Sequence, residues 1–405
     1  MMDTTSYGPD RPLGIAVIGA GMAGAAHAAA WRAATTTRSP FSVPVKLVAI
    51  ADIAEPLAQQ TAGRYGYERV ETDWRALKDA EDVDVVSVVV ANHLHRQIVE
   101  ELAAAGKHVL CEKPLSDTLE DAQAMAEVAR SADSVIRIGF TFRRAPGLAT
   151  LRDLVQDGTL GPVVHLYGRY LADYACSPTV PMTWRFRGEP GSGALADVGS
   201  HLLYAAEFLA GPTQAVSGAR FRTVVKDRPL PLGSTVGHGR VEVSEETEPV
   251  TNDDWAGWTA RFGEADGIFE ASRVSAGHPN GLRLEVTCEH GAAVWDQERP
   301  AEIQLMVREP DGESEHRNGF RTVILGPGHP YVGEGFPMAA PGIGFGQNDG
   351  FVFQARAFLE EVAGLPEAES WPRNATFDDG VHNMRLIAAI AQSATDQGRE
   401  VTIAQ

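Results

Sequence analysis

The 405-residue chain is predicted to fold as a doubly wound α/β domain, a parallel sheet with helices on both faces, followed by an α+β domain on a large, mostly antiparallel, open-faced sheet. Three observations carry this expectation. A strand-like run, Leu13-Gly14-Ile15-Ala16-Val17-Ile18, ends in Gly19-Ala20-Gly21-Met22-Ala23-Gly24 and an Ala-rich helical stretch. Short apolar runs then alternate with helical patterns as far as residue 140, the order that winds into a parallel sheet. Beyond residue 144 the texture changes to strands with few helices. At this length two domains are the default, expected as 1–143 and 144–405.

In order, strand Leu13–Ile18 leads into helix 23–34, and a second strand, Val45–Ala51, ends on Asp52. A polar loop over 35–44 accounts for the long interval between Gly24 and Asp52. Helix 54–65, strand 83–90, helix 95–105, strand His108–Cys111, helix 119–132 and strand 135–140 complete the series. A helix over 147–157 then stops at Gly158, and strand 163–170 opens the second region. Strands Trp255–Phe262, 267–273, 283–288 and 292–296 continue it, with turns at Asp266-Gly267 and His290-Gly291. Helices 350–363 and Phe377–Thr395 finish the chain. The stretch 326–350 is rich in Gly and Pro and lacks periodicity, a long loop of the sort that is usually functional.

Composition narrows the classes of function. A formal net charge of −19 argues against nucleic acid, whose phosphates need a basic face. Three cysteines, Cys111, Cys176 and Cys288, with no C-x-x-C spacing suit a reducing compartment, and the expected location is cytoplasmic. No membrane span is expected: the longest strongly apolar run, 83–91, falls short of the roughly 20 residues a span needs. The small-residue stretch near the N-terminus lacks the charged flank of a signal peptide, and its glycines sit in nucleotide-binding register.

That register points to a dinucleotide. Three glycines at the tip of a strand let backbone N–H groups and a helix N-terminus approach a pyrophosphate, here through Gly19, Gly21, Met22 and Ala23. Asp52 at the tip of the second strand can accept both ribose hydroxyls of NAD while repelling a 2′-phosphate, and no basic residue follows it before Arg64. The plainer role for Asp52 is that of a turn residue. Asn92, His93, His95 and Lys113 fall beyond strand ends, where such folds bind ligands. Lys113, between Glu112 and Pro114, is either a surface lysine or an ammonium that holds a substrate hydroxyl and takes part in proton transfer. Asp197 and His201, four apart, would share one face of a helix. They read as a titrating imidazole with an orienting carboxylate, as packing residues, or as two metal ligands; no Cys/His cluster nearby would complete a metal site, so none is expected.

Taken together, Gly19-x-Gly21-x-x-Gly24 with His27, Ala91-Asn92-His93-Leu94-His95, Gly106-Lys107-His108-Val109-Leu110-Cys111-Glu112-Lys113-Pro114 and Asp197-x-x-x-His201 resemble the glucose–fructose oxidoreductase, inositol dehydrogenase and rhizopine-catabolism (Gfo/Idh/MocA) family. The resemblance implies a Rossmann domain, NAD as cofactor, Lys113, Asp197 and His201 at the nicotinamide, a Pro114 that is often cis, and a homodimer or homotetramer. Trp184-Arg185-Phe186, Gly191-Ser192-Gly193-Ala194-Leu195, Phe320-Arg321-Thr322-Val323, Gly328-His329-Pro330-Tyr331 and Gly342-Ile343-Gly344-Phe345-Gly346 are similar to the levoglucosan dehydrogenase branch. Thr141, Ala172 and Tyr174 stand where that branch implies Asn, Gln and Trp. The expected activity is oxidation of a secondary ring hydroxyl of a sugar or cyclitol, with Arg143, Tyr174, Trp184 and Arg185 as sugar contacts; for Trp184, core packing is an equal alternative. An inositol or polyol dehydrogenase, a redox-assisted glycosidase and a non-catalytic dinucleotide sensor are the other readings of the same scaffold.

Overall fold

A computed structural model describes residues 11–38, 41, 43–233, 241–308 and 315–404. Of the polar loop 35–44, residues 39, 40 and 42 lie outside the described residues. The chain divides into two compact units, Met1–Arg144 with Gly333–Ala339 and Asn348–Met384, and Ala145–Val332 with Ala340–Gln347 and Arg385–Gln405.

In the first unit, β1 (Leu13–Ile18), β2 (Val45–Ala51), β3 (Arg69–Glu71), β4 (Val85–Val88), β5 (His108–Cys111) and β6 (Ile136–Ile138) form a sheet in the order β3-β2-β1-β4-β5-β6. Every ladder is parallel. Strands covered on both faces need continuous apolar runs, and β1, β4 and β5 are buried at every residue. Helices α1 (Met22–Ala34), α2 (Glu55–Tyr65), α3 (Arg75–Lys78), α4 (His95–Ala104) and α5 (Leu119–Ser131) connect them. Short β3 and α3 were not expected: β3 has a single apolar residue, Val70, and is half-buried throughout.

The second unit opens with α6 (Pro146–Gln156), then β7 (Val163–Ala172), α7 (Ser200–Ala210), β8 (Ala215–Arg222) and the hairpin of β9 (Asp227–Pro231) with β10 (Val243–Pro249). β11 (Trp255–Phe262), β12 (Ala265–Ser272), β13 (Asn280–Cys288), β14 (Gly291–Asp296), β15 (Glu302–Val307) and β16 (Arg321–Ile324) follow. With β17 (Val401–Thr402) they make a sheet in the order β16-β15-β14-β13-β7-β12-β11-β8-β17, antiparallel except where β12 pairs with β7. Its period is two: Leu282, Leu284, Val286 and Cys288 of β13 are buried while their neighbours are not. α7 packs on β7 and α6 on β14. Tyr167 and Ile268, paired across β7 and β12, are 45% and 57% exposed.

The stretch 326–350 holds a short helix, α8 (Pro330–Gly333), and ends inside α9 (Gln347–Val362), which precedes α10 (Phe377–Thr395). The expected assignment of all of 144–405 to one domain differs from the observed division after residue 332. The reason is packing: Ala355, Phe358, Leu359 and Val362 of α9 complete the core around Leu13, Val17 and Trp31, and the Trp31 and Phe358 rings meet edge to face at 5.8 Å. Helices α9 and α10 follow β16 in sequence, between it and the last strand of the second unit's sheet, so their partners could not be read from sequence order.

Candidate active site

β1 and β4 lie side by side although β2 and β3 intervene in sequence, so the crevice at their C-terminal ends is the topological switch point where such sheets bind ligands. Gly19 follows β1 with φ +98°, and a Cβ there would stand 2.0 Å from Val89 O. A Cβ on Gly24 would stand 1.8 Å from Gly19 O. Both glycines are demanded by backbone approach. Gly21 is different, since a Cβ there would meet nothing within 4 Å. It precedes α1 with no side-chain cap and no acidic residue in the first turn. The Ala25 N–H donates to Gly21 O, so the N–H groups of Met22, Ala23 and Gly24 ahead of it have helical geometry without an intrahelical acceptor. An anion fits that cradle.

Asp52 ties the tip of β2 to the glycine loop: its Oδ2 accepts the Ala20 N–H at 2.7 Å and its Oδ1 the Ala54 N–H at 2.8 Å. A carboxylate has about four acceptor positions, so the pair of bonds leaves room for ribose hydroxyls. Open space at Gly21, bare N–H groups at the helix start and an acidic residue at the next strand tip together fit a dinucleotide.

Asn92 opens a 3₁₀ turn, Asn92–Leu94, after β4 and is half-buried; His93 is exposed. His95, expected as a cofactor contact, is fully buried, with Nδ1 3.1 Å from Leu115 O and Nε2 3.2 Å from Val90 O. Burial pushes its imidazole pKa down. Both ring nitrogens face backbone carbonyls, so His95 is a strut between the end of β4 and the turn that follows Lys113. The Lys113–Pro114 peptide is cis. Lys113 is half-buried, and its N–H donates to Glu112 Oε2 at 3.2 Å. Burial alone would raise the Glu112 pKa; the hydrogen bond with His27 and the neighbouring Lys113 outweigh it and hold the carboxyl below its ordinary value. Arg143 is half-buried in the 3₁₀ turn Thr141–Arg144, where Thr141 Oγ1 donates to Gln354 Oε1 at 3.1 Å.

In the second unit the sequence places Asp197 and His201 on one helix; the structure interrupts that helix. Asp197 lies in a π-helical turn, Leu195–Gly199, and His201 in the first turn of α7. Such π turns recur at functional sites because they re-aim side chains within a helix. Tyr174 OH donates to Asp197 Oδ2 at 2.5 Å, and burial, with the Asp197 charge adding to it, pushes the phenol pKa well up. The His201 ring lies 6.0 Å from that of Tyr170, whose hydroxyl donates to Asn280 Oδ1 at 2.7 Å. Trp184 is 40% exposed with the Arg185 guanidinium 4.4 Å above its ring, so its ring is not packed in the core.

Sequence reasoning missed what holds this segment. Asp253, 1% exposed, accepts the N–H groups of Gly191 (2.7 Å) and Gly193 (3.0 Å) on Oδ1 and of Leu195 (2.9 Å) on Oδ2, fixing the approach to the π turn. The Arg185 carbonyl accepts from Asn252 Nδ2 at 3.0 Å and from buried Arg273 at 2.7 Å. Phe186 is flanked by two guanidinium groups, Arg228 at 3.9 Å and Arg273 at 4.6 Å. In sequence, Asn252-Asp253-Asp254 looks like a turn; its only signal is three adjacent polar residues just ahead of a strand. Among the described residues no group of three or more His, Cys, Asp or Glu side chains could hold a metal ion.

Comparison with known proteins gives this arrangement its family. Residues 13–140 match the model of an oxidoreductase family with an NAD-binding Rossmann fold, and residues 148–294 match the GFO/IDH/MocA C-terminal domain. The levoglucosan dehydrogenase of Pseudarthrobacter phenanthrenivorans is 35% identical over 390 residues, 95% of this chain and 97% of that protein. The D-glucoside 3-dehydrogenase of Escherichia coli is 36% identical over 203 residues, 49% of this chain and 54% of that one. A solved levoglucosan dehydrogenase in complex with NADH and levoglucosan superposes with a TM-score of 0.85 at 31% identity, covering 97% of this chain and all of the other. The chain belongs to the GFO/IDH/MocA family of NAD-binding oxidoreductases.

Proposed function

We propose that the protein oxidises a secondary ring hydroxyl of a rigid pyranose, levoglucosan or a glucoside, to a ketone, at C3. NAD, when bound, supplies the hydride acceptor. Gly19, Gly21, Met22, Ala23, Asp52 and Asn92 hold the cofactor, and Glu112 borders it. His201 takes the hydroxyl proton, Lys113 holds the oxygen as its negative charge develops, and Asp197 orients the hydroxyl or the imidazole.

The observation that carries the sugar reading is the second unit's combination of the Asp197 carboxylate hydrogen-bonded by Tyr174 with the Arg185 guanidinium layered on exposed Trp184. Planar faces suit the ring of a pyranose, and the carboxylate and phenol suit its hydroxyls. The likeness to levoglucosan dehydrogenase over nearly the whole chain, and to a glucoside 3-dehydrogenase over half of it, supports the same substrate class. The test is a panel of levoglucosan, glucose, methyl glucosides and myo-inositol with NAD, read at the NADH absorbance band at mildly alkaline pH. Reduction with levoglucosan or a glucoside is the expected result. Turnover confined to sugar phosphates, acyclic acids or cyclitols overturns the substrate reading and leaves the dehydrogenase reading intact.

A further inference from the structure

We propose that a buried chain of polar groups, Trp31, Ser87, His27 and Glu112, sets the place of Lys113, with Glu112 as the positioning residue through which it acts. The inference rests on the reading of Lys113 as a group at the reacting oxygen. Trp31 Nε1–H donates to Ser87 Oγ at 2.9 Å, Ser87 Oγ lies 3.0 Å from His27 Nδ1, and His27 Nε2 lies 3.0 Å from Glu112 Oε1. Ser87 is fully buried, His27 2% exposed and Glu112 9% exposed.

Counting hydrogens decides the direction. Ser87 Oγ already accepts from Trp31, so its own hydrogen finds an acceptor at His27 Nδ1, and the remaining imidazole hydrogen on Nε2 points at Glu112. With His27 protonated on both nitrogens, the buried Ser87 hydrogen would lose its acceptor in this chain, at a cost of about 1–3 kcal/mol. Glu112 then accepts on both oxygens, from His27 and from the N–H of Lys113, the pattern of a carboxylate, which has no proton of its own to place. A Cβ on Gly139 would stand 2.6 Å from Glu112 Oε1, so the neighbouring strand end leaves space for the carboxylate at that spot.

Ser87, His27 and Glu112 have the connectivity of a nucleophilic triad, but the serine has no solvent access and its oxygen is already engaged, so acyl chemistry is excluded. A buried ion is poor evidence of stabilisation, because apolar residues of the same shape do as well. What the carboxylate adds is a fixed negative charge and a backbone acceptor one residue before Lys113. The chain therefore carries orientation from α1 and β4 to the end of β5, where Lys113 leaves the sheet.

The test combines lysine reactivity with turnover in the full-length, NAD-bound protein. Acetylation of Lys113 by an N-hydroxysuccinimide ester at fixed pH, read by peptide mass spectrometry against exposed Lys226, reports on the amine without a sugar. Glu112→Gln is nearly isosteric, and its amide cannot accept from both partners; it should change relative Lys113 labelling by at least about threefold. With levoglucosan it should lower kcat by about 10- to 100-fold, the scale of a small misplacement of a reacting group, with NADH affinity within threefold. His27→Leu should behave likewise, whereas His27→Gln, which keeps a donor toward Glu112, should recover to within about threefold of wild type. The double variant Glu112→Gln with Lys113→Ala should be no slower than Lys113→Ala alone, since residues acting through one group are not additive. Unchanged Lys113 labelling in Glu112→Gln, or losses that multiply in the double variant, would overturn the proposal. If Lys113→Ala itself turns over at the wild-type rate, the reading of Lys113 fails, and labelling alone decides whether Glu112 controls the amine.

Discussion

Asp253 offers the most direct measure of how strongly the candidate site is built into the fold. Its carboxylate accepts three backbone N–H groups from 191–195, all at 3.0 Å or less, while 1% exposed. Asp253→Asn keeps the shape but turns one oxygen into a donor. With the amide oxygen at Gly191 and Gly193, the NH2 group confronts the Leu195 N–H; flipping the amide sets two N–H groups against it instead. The cheaper orientation loses one bond to a charged acceptor, about 1.5–3 kcal/mol, and strands a buried donor, about 1–3 kcal/mol, giving roughly 2.5–6 kcal/mol in all. For a unit of roughly 200 residues, where a kilocalorie corresponds to about 2–4 °C, the transition should fall by roughly 5–24 °C. Thermal unfolding by circular dichroism measures it. Because Leu195 begins the π turn that carries Asp197, kcat/KM for levoglucosan should fall as well, with NADH affinity kept. A shift below about 2 °C with normal turnover would refute the idea that this carboxylate organises the segment.

Asp52 should make the enzyme prefer NAD to NADP in kcat/KM, and Asp52→Ala should narrow the gap; a wild-type ratio near one would sink the assignment. Lys113→Ala should lower kcat by roughly 10²- to 10⁴-fold with NADH affinity kept within a few-fold, measured by steady-state kinetics and NADH fluorescence. Buried His108 accepts the Val135 N–H on Nδ1 at 2.9 Å, and burial pushes its pKa down to about 4. The unfolded chain binds that proton below about pH 6.5 while the fold does not, so stability is full above pH 6.5. It should decline by roughly 3 kcal/mol on acidification toward pH 4; urea titrations against pH should show His108→Asn flattening that part of the decline. Tyr167 and Ile268, adjacent and exposed on the sheet face away from α6 and α7, should belong to a contact between copies. Light scattering should give a dimer or tetramer, reduced by Tyr167→Asp, and a monomer at micromolar concentration would contradict this.

The first sheet was legible because its physics is local. A strand covered on both faces reads as a near-continuous apolar run, so Leu13–Ile18, His108–Cys111 and Val45–Ala51, the last half-buried over its first three residues, declare themselves with their observed ends. Gly19 and Gly24 were legible for the same reason, since each is fixed by a backbone atom within 2.0 Å of a missing Cβ. Half-covered strands were harder. β8, with a glycine and two arginines in Ala215–Arg222, shows its character through its pairing with β11 and β17. Helices α9 and α10 were visible as periodic segments, but that α9 would close the core around Trp31 depends on contacts more than three hundred residues apart.

The site divides along the same line. Lys113, Asp197 and His201 could be picked out as candidates because reactive residue types stand in short, recognisable spacings; the positions of their supports could not, because support is long-range. His95 shows the cost of reasoning from strand ends alone: it sits where ligands bind, yet its ring spans two backbone carbonyls and faces inward. Asp197 and His201 show the converse. Spacing alone joined them on a regular helix, but the Asp253 carboxylate, engaged by backbone N–H groups as far as Leu195, meets the chain where it enters a π turn instead. The nearest signal for it in sequence lies more than fifty residues downstream, as three polar residues ahead of a strand. A reader looking for such supports should therefore ask of every polar run before a buried strand which backbone N–H groups it satisfies, because a buried carboxylate with no cation beside it must find donors somewhere in the chain.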